Sequence, residues 1–430
     1  MFPRLAAALR TRSSVAVYSM AAPIVVVTES LAKTAAAPDA NLNSASRGDP
    51  KAHHKAKGGF VNPWPSFHDP GTNPLTLWQI YRDWKSQPVP PPAQLPPLVQ
   101  PSFTPPADLS PEEREDWYKD IKSTWLGHAC YLVELGIAPG TPGVDKDGEK
   151  RGYRILFDPV WSHRCSPSQW VGPARVVEPP IALEDIPHVD AVVISHNHYD
   201  HLDVATLKHL YKAQPAGSIH FFAPLGNAKW FRNTIGVKAS EVTELDWWEE
   251  RTLQLGAGKE GVQGGEALRV VCTPCQHFTG RGIHDRNDTL WASWSVSSAT
   301  GGKVWFAGDT GYKTVPRGAT SEEGLPTCPA FKEIGEREGP FDFSMIPIGA
   351  YSPRWAMSKV HCSPEDSVEL HREVKSRKSL GMHHSTWVLT DEEMTEPPRR
   401  LRAACDKYGI SQDEFGVCGL GETVRHKVHG

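Results

Sequence analysis

No stretch of this 430-residue chain is apolar for the ~18 to 20 residues that a membrane-crossing helix needs. The nearest is residues 14–28, which is short and interrupted by Pro23. There is no excess of basic residues either. The formal net charge is −4, which offers no general surface for nucleic acid. Eight cysteines scattered over such a length do not form a disulfide scaffold and fit a compartment that tolerates free thiols. A G-x-S-x-G nucleophile motif and internal repeats are missing too. The first 28 residues hold Arg4, Arg10 and Arg12 and no carboxylate, the first being Glu29. Such a leader reads as an organelle transit peptide, mitochondrial by composition, against an unstructured terminus or a start at Met20.

What is present is uneven. Residues 29–58 are polar and expected to lack structure, so 1–58 reads as leader and unstructured segment. Residues 59–122 form an aromatic and proline-rich extension. In it, Asn73 and Pro74 mark a helix start. Leu77, Ile80, Tyr81 and Trp84 then repeat on one helical face. That face is usually core, and a membrane-docking role is the alternative. Residues 88–106 are proline-rich and should run extended over a surface. From about Ser123 onward, short β-branched and aromatic runs alternate with loops: "TWLGHACYLVEL", "RILFDPV", "AVVIS", "IHFFAP", "LRVVCTP", "LWASWSV", "KVWFAG" and "FSMIPIG". Helical patterns fall at 203–213, 364–377 and 394–407. Residues 123–430 therefore read as one α/β domain, two β-sheets sandwiched between helices. Two Gly- and charge-rich stretches, 136–153 and 313–327, look like surface insertions.

Between Ser195 and Asp203 the chain reads "SHNHYDHLD". His196 and His198 follow the strand "AVVIS" and, two residues apart on extended backbone, face the same way. Asp200 and His201 turn toward a helix beginning near Asp203. Placing all these groups on one tetrahedral ion would leave no position open for chemistry. Two ions are the simpler reading, His196 and His198 on one, Asp200 and His201 on the other. Each ion then needs further ligands from strand ends downstream. His277 follows "CTPCQ", Asp309 sits in "FAGDTGY" where glycines allow close backbone approach, and His383 or His384 follows "SLGM". Asp309 would be shared. Asp158, ending "RILFD", is a candidate to orient a ligand histidine, and His128 in "LGHA" is a weaker one; an ordinary loop role competes for both. Cys272 and Cys275 have C-x-x-C spacing but lack a second pair, and read as core residues.

The H-x-H-x-D-H motif with downstream His, Asp and His resembles the metallo-β-lactamase superfamily, which implies an αβ/βα sandwich with a dinuclear site at one edge. "FVNPWP", "TWLGHA", "SPSQWVGP", "SHNHYDHLD", "ELDWWEE", "FAGDTGY", "IPIGAYSPRW" and "EPP", in that order, make the chain similar to the N-acyl-phosphatidylethanolamine-hydrolysing phospholipase D family from about Phe60 to Gly421. The resemblance implies two zinc ions on His196, His198, Asp200, His201, His277, Asp309 and His383. It implies Asp200, Asp309 and His361 as catalytic residues, and a homodimer. The implied reaction is hydrolysis of N-acyl-phosphatidylethanolamine to N-acylethanolamine and phosphatidic acid by water activated between the metals. His361 would bind phosphate or protonate the leaving oxygen. A phospholipid substrate demands peripheral contact with a membrane, mitochondrial or otherwise intracellular. The insertion at 313–327 and His384, where an aromatic is expected, depart from the family pattern. The competing expectation is a lactonase or amidase on the same metal frame with a small soluble substrate.

Overall fold

The structure, a computed structural model, describes residues 25–29, 51–69, 87–137, 150–255 and 267–429, with positions 78, 79, 82, 83 and 85. The strands in chain order are β1 (Val25–Glu29), β2 (Ile121–Gly127), β3 (Cys130–Leu135), β4 (Tyr153–Phe157), β5 (Ala191–Val193), β6 (His220–Pro224), β7 (Val242–Leu245) and β8 (Glu250–Leu255). They continue with β9 (Leu268–Thr273), β10 (Ser293–Ser298), β11 (Lys303–Phe306), β12 (Phe343–Pro347), β13 (Ser379–Met382), β14 (Phe415–Gly416) and β15 (Thr423–His426). One sheet runs β15-β2-β3-β4-β5-β6-β7 and the other β1-β8-β9-β10-β11-β12-β13-β14. Each is antiparallel at one end and parallel at the other, the parallel parts being β4 to β7 and β11 to β14.

Alternation along the strands builds the layers. Tyr131, Val133, Ile155, Phe157, Ala191, Val193 and Phe222 point into the core between the sheets, where they meet Trp294, Val304, Phe306 and Phe343. Their neighbours Leu132, Leu156, Val192, Ile194 and Phe221 point the other way, under helix Val204–Ala213 with Leu207 and Leu210. Helices Val204–Ala213, Pro364–Glu373 and Glu396–Tyr408 match the expected periodic segments. Helices Pro111–Lys119 and Ala330–Arg337 are additional. The first had a readable start, a capping box in which Ser110 and Glu113 satisfy each other's backbone N–H groups.

Three differences from the sequence reading stand out. Val25–Glu29 lies inside the segment read as leader and unstructured chain, yet it pairs antiparallel with β8. Its β-branched run suits an edge strand. Residues 51–58, read as unstructured, are ordered by His53 and His54, which bond Asp246. "TWLGHACYLVEL" is a hairpin rather than one run, turning at Gly127 and His128, both with positive φ. The proline-rich segment runs without regular strand or helix apart from the turn Pro92–Gln94, and is held to the C-terminal part of the chain by Val99 N–H to Leu420 O at 2.8 Å. Residues 313–327 form a largely exposed loop. The arginine-rich residues 1–24, Asn73 and Pro74, the face of Leu77, Ile80, Tyr81 and Trp84, and most of the 136–153 insertion lie outside the described residues.

Candidate metal centre

β5 ends at Val193, and the chain leaves the sheet edge through Ser195, His196 and His198. His196 Nε2 and His198 Nδ1 are 2.8 Å apart, and His277 Nε2, just past the end of β9, is 3.3 Å from His198 Nδ1. The opposite nitrogen of His277 donates to Val360 O at 2.8 Å, which leaves Nε2 with its lone pair toward the cluster. A second group gathers Asp200, His201, His383 and His128. Asp200 Oδ2 is 3.0 Å from His128 Nε2, 3.5 Å from His201 Nε2 and 3.7 Å from His383 Nε2.

Asp309 joins the groups. Its Oδ2 lies 3.1 Å from His201 Nε2 and His383 Nε2, and 3.8 to 3.9 Å from His277, His196 and His361. Gly308 makes this approach possible. A Cβ there would stand 2.7 Å from the Ser195 side chain and 3.0 Å from Ala292 O, and its φ is +60°. The seven-stranded sheet thus supplies Asp158, His196, His198, Asp200 and His201, and the eight-stranded sheet His277, Asp309 and His383.

Asp158 does not face the cluster as a ligand would. It accepts from Ser195 N–H at 2.7 Å, from the Ser195 hydroxyl at 2.5 Å and from His201 Nδ1 at 2.7 Å. Its carboxylate is consumed in holding His201 with Nε2 toward Asp309. His128 was underweighted by sequence reading. Its N–H donates to Thr386 Oγ1 at 2.7 Å, its carbonyl accepts from His383 N–H at 2.9 Å, and its ring lies 3.9 Å from that of His383. One signal was available: "GH" at the tip of an apolar hairpin, where a left-handed histidine (φ 52°) is uncommon. Asp158 and His383 share this backbone region, with φ 39° and 61°. His384 stacks on Trp125 at 4.8 Å and bonds Ser385 Oγ, so of the two adjacent histidines it is His383 that enters the cluster. Cys272 and Cys275 are buried and unbridged, and burial pushes both thiols well above their usual range.

The fit to a metal can be judged from unmet valence. His201 Nε2, Asp309 Oδ1, His361 Nδ1 and both ring nitrogens of His383 are buried with no partner in hydrogen-bonding geometry. Such groups are costly without a ligand. Burial drives His196 and His277 far below the usual imidazole range, and brings His198 to about 4, so these three present neutral lone pairs. Burial is the largest single influence and opposes charge on His201 and His383, but the neighbouring carboxylates, Asp309 foremost among them, together outweigh it and pull both upward, His383 to about 9. The carboxylates thus call for positive charge among them, which divalent ions supply. One three-nitrogen cradle and one mixed His/Asp cradle with a shared carboxylate suit two borderline cations.

The architecture and this edge-on cluster define a metallo-hydrolase, and the family described as "Beta-lactamase superfamily domain" matches residues 153–384. The chain is 38% identical over 304 residues to "N-acyl-phosphatidylethanolamine-hydrolyzing phospholipase D 1" of Caenorhabditis elegans, covering 70% of this chain and 74% of the relative. It belongs to that phospholipase D family within the metallo-β-lactamase superfamily. The relative in Saccharomyces cerevisiae, "N-acyl-phosphatidylethanolamine-hydrolyzing phospholipase D, mitochondrial", is 29% identical over 73% of this chain and 57% of its own length. Among solved structures, the isothiocyanate hydrolase from Delia radicum gut bacteria matches 70% of this chain and 98% of that one, at 16% identity and a TM-score of 0.47.

Proposed function

We propose that this hydrolase is a dinuclear zinc phosphodiesterase that cleaves N-acyl-phosphatidylethanolamine to N-acylethanolamine and phosphatidic acid. The observation that carries the reading is Asp309 Oδ2, within 3.1 to 3.9 Å of imidazole nitrogens from both clusters. His196, His198 and His277 would hold one ion, Asp200, His201 and His383 the other, with Asp309 between. When bound, such ions polarise a phosphoryl oxygen and lower the pKa of water toward ~7.

The protein's own groups set the geometry. Asp158 and Val360 O fix the tautomers of His201 and His277. Buried side chains of both sheets keep the cluster from rearranging. Hydrolysis forms one P–O bond to water and breaks the P–O bond to the acylated ethanolamine, whose oxygen takes up a proton. His361 is buried beside the cluster, with Nδ1 3.9 Å from Asp309 Oδ2 and no hydrogen-bond partner there. Burial holds its imidazole near 4, so it meets substrate as a neutral ring able to hydrogen-bond a phosphoryl or leaving oxygen. The name of the yeast relative supports a mitochondrial location over another intracellular membrane, and a phospholipid substrate calls for peripheral contact with that membrane. No described helix is long and apolar enough to cross a bilayer. A homodimer is the proposed assembly.

The test is product analysis by mass spectrometry from vesicles containing N-acyl-phosphatidylethanolamine, with and without chelator. Chelator-sensitive release of N-acylethanolamine is expected. No release, alongside turnover of a small lactone or amide, would replace the lipid reading with the lactonase or amidase one.

A further inference from the structure

We infer that two loops at the metal edge form a face that docks on a phospholipid bilayer, with Trp170, Val171 and Ile283 as its inserting tips. The inference rests on the reading that the substrate is a membrane lipid. Trp170 is 91% exposed, Val171 64% and Ile283 91%. Scattered single apolar residues on a surface are ordinary, whereas a set concentrated around a site entrance points to a contact surface.

Both loops leave the sheet edge that carries the candidate ligands. The first follows β4 and Asp158, the second follows β9 and His277. Their bases are bonded to the site's surroundings. In the first loop, His163 O accepts from Trp387 Nε1 at 3.3 Å and Val176 N–H donates to Thr386 O at 2.9 Å, next to His383 and His384. In the second, Gly280 N–H donates to Asn197 Oδ1 at 2.9 Å, and the Arg281 guanidinium donates to Asn197 O at 2.8 Å and Leu202 O at 2.9 Å. The second loop is thus tied to both ends of the His196–His201 motif.

The tips are held outward by design of their loops. An isolated bridge joins Arg164 to Ala174. The Gln169 amide closes the turn, accepting from Arg164 N–H at 3.0 Å and donating to Arg164 O at 2.9 Å. Gly172, at φ +97°, packs where a Cβ would meet the Ser166 side chain at 2.6 Å. On the second loop the Asp285 carboxylate accepts from Arg281 N–H at 2.8 Å and Gly282 N–H at 2.7 Å, one residue before Ile283. Loops tied in this way present an apolar side chain at small conformational cost, and indole sits well at the headgroup boundary.

Charge selects the partner. Between Ser162 and Val176 the chain contains Arg164 and Arg175 and no carboxylate, with Arg175 buried over Trp387; from Thr279 to Asn287 it contains Arg281, Arg286 and Asp285, with Arg286 paired to Asp69 at 3.0 Å. The first loop is thus free of negative charge in a chain whose net charge is −4, and Arg164 is its half-exposed cation, while the second loop is close to neutral once Asp288 is counted. Acylation of the ethanolamine nitrogen removes its charge, so the proposed substrate is an anionic phosphodiester at the bilayer surface. Apolar insertion with a cationic flank is the arrangement such a surface binds.

The experiment compares the full-length, metal-loaded protein with W170E/I283E, and with W170F/I283L as the conservative control. The probes are vesicles of phosphatidylcholine alone and of phosphatidylcholine with N-acyl-phosphatidylethanolamine, read by co-sedimentation. The charged variant should lose about tenfold or more of its vesicle partition. It should keep its metal content and its hydrolysis of a soluble aryl phosphodiester. W170F/I283L should bind, and wild-type binding should be stronger on the anionic vesicles. Unchanged partition of W170E/I283E overturns the proposal. So does a W170E/I283E protein that turns from dimer to monomer on a sizing column and still binds vesicles, since a second copy would then cover these tips. Wild-type binding lost in W170E/I283E, with no N-acylethanolamine released by wild type, upholds the docking face and defeats the substrate reading alone.

Discussion

Among the described residues, two regions gather three or more histidines and carboxylates within ligand distance of one another, and they are chemically unlike. At the edge of the sandwich are the residues around Asp309. Some way off, His53, His54 and Asp246 also cluster with potential ligand atoms within 4.8 Å. In that second group His53 Nε2 is 2.6 Å from Asp246 Oδ1 and His54 Nε2 is 2.7 Å from Asp246 Oδ2. Each oxygen has its donor, and His53 stacks on Trp247 at 4.2 Å. This is a hydrogen-bonded clasp that ties the segment just ahead of the aromatic extension to the domain. Around Asp309, by contrast, buried ring nitrogens and a carboxylate oxygen have no hydrogen-bond partner. Proximity of donor types does not define a metal site; buried valence left unmet does.

The largest expected break comes from Asp309→Asn. Removing the shared charge should lower bound metal from two ions per chain and cut turnover by about 10³-fold, scored by elemental analysis and lipid hydrolysis. If both ions stay bound, the shared role of Asp309 is wrong. Next is His128→Asn, chosen because asparagine tolerates the left-handed backbone but cannot reach Asp200. Metal affinity, measured by competition with a chelating dye, should fall about 10- to 100-fold. A smaller effect is expected at the clasp. His53→Ala should cost about 1–3 kcal/mol in urea unfolding, with metal content and turnover per metal unchanged. A loss of metal there would erase the contrast between the two regions.

The mildest prediction supplies a baseline from a buried histidine in neither cluster. His426 stacks on Phe343 at 4.0 Å, and burial lowers its pKa to about 3. Its unfolded counterpart titrates near ~6.5. Between those values the unfolded chain binds the extra proton, so this contribution is full above the unfolded pKa and declines as pH falls toward 3. The slope reaches at most about 1.4 kcal/mol per pH unit. His426→Phe should flatten stability against pH over that window by up to this amount.

The parts that sequence reading reached are those where local direction decides. His196 and His198 leave one strand two residues apart, His277 and His383 each lie just beyond a strand, and Asp309 follows a glycine whose missing side chain permits contact with Ser195. The short β-branched and aromatic runs that become β3 to β6 likewise made the sandwich readable. The parts missed depend on distant partners. β1 is a strand because β8 offers it an edge, and nothing in "VVVTE" names that partner. His128, only a weak candidate by sequence, reaches Asp200 because a hairpin turn carries its ring there, a distance that no spacing along the chain encodes. The order in residues 51–58 comes from Asp246, far along the sequence.

The division of the cluster between the two sheets has a consequence for the protein's lifetime. Ions seated there would rivet one half of the sandwich to the other, across the seam where Gly308 meets Ser195. Stripping them would do more than silence turnover. It would leave opposed carboxylates and unpaired imidazoles facing each other across that seam, so metal-depleted protein should open there first and age by aggregation.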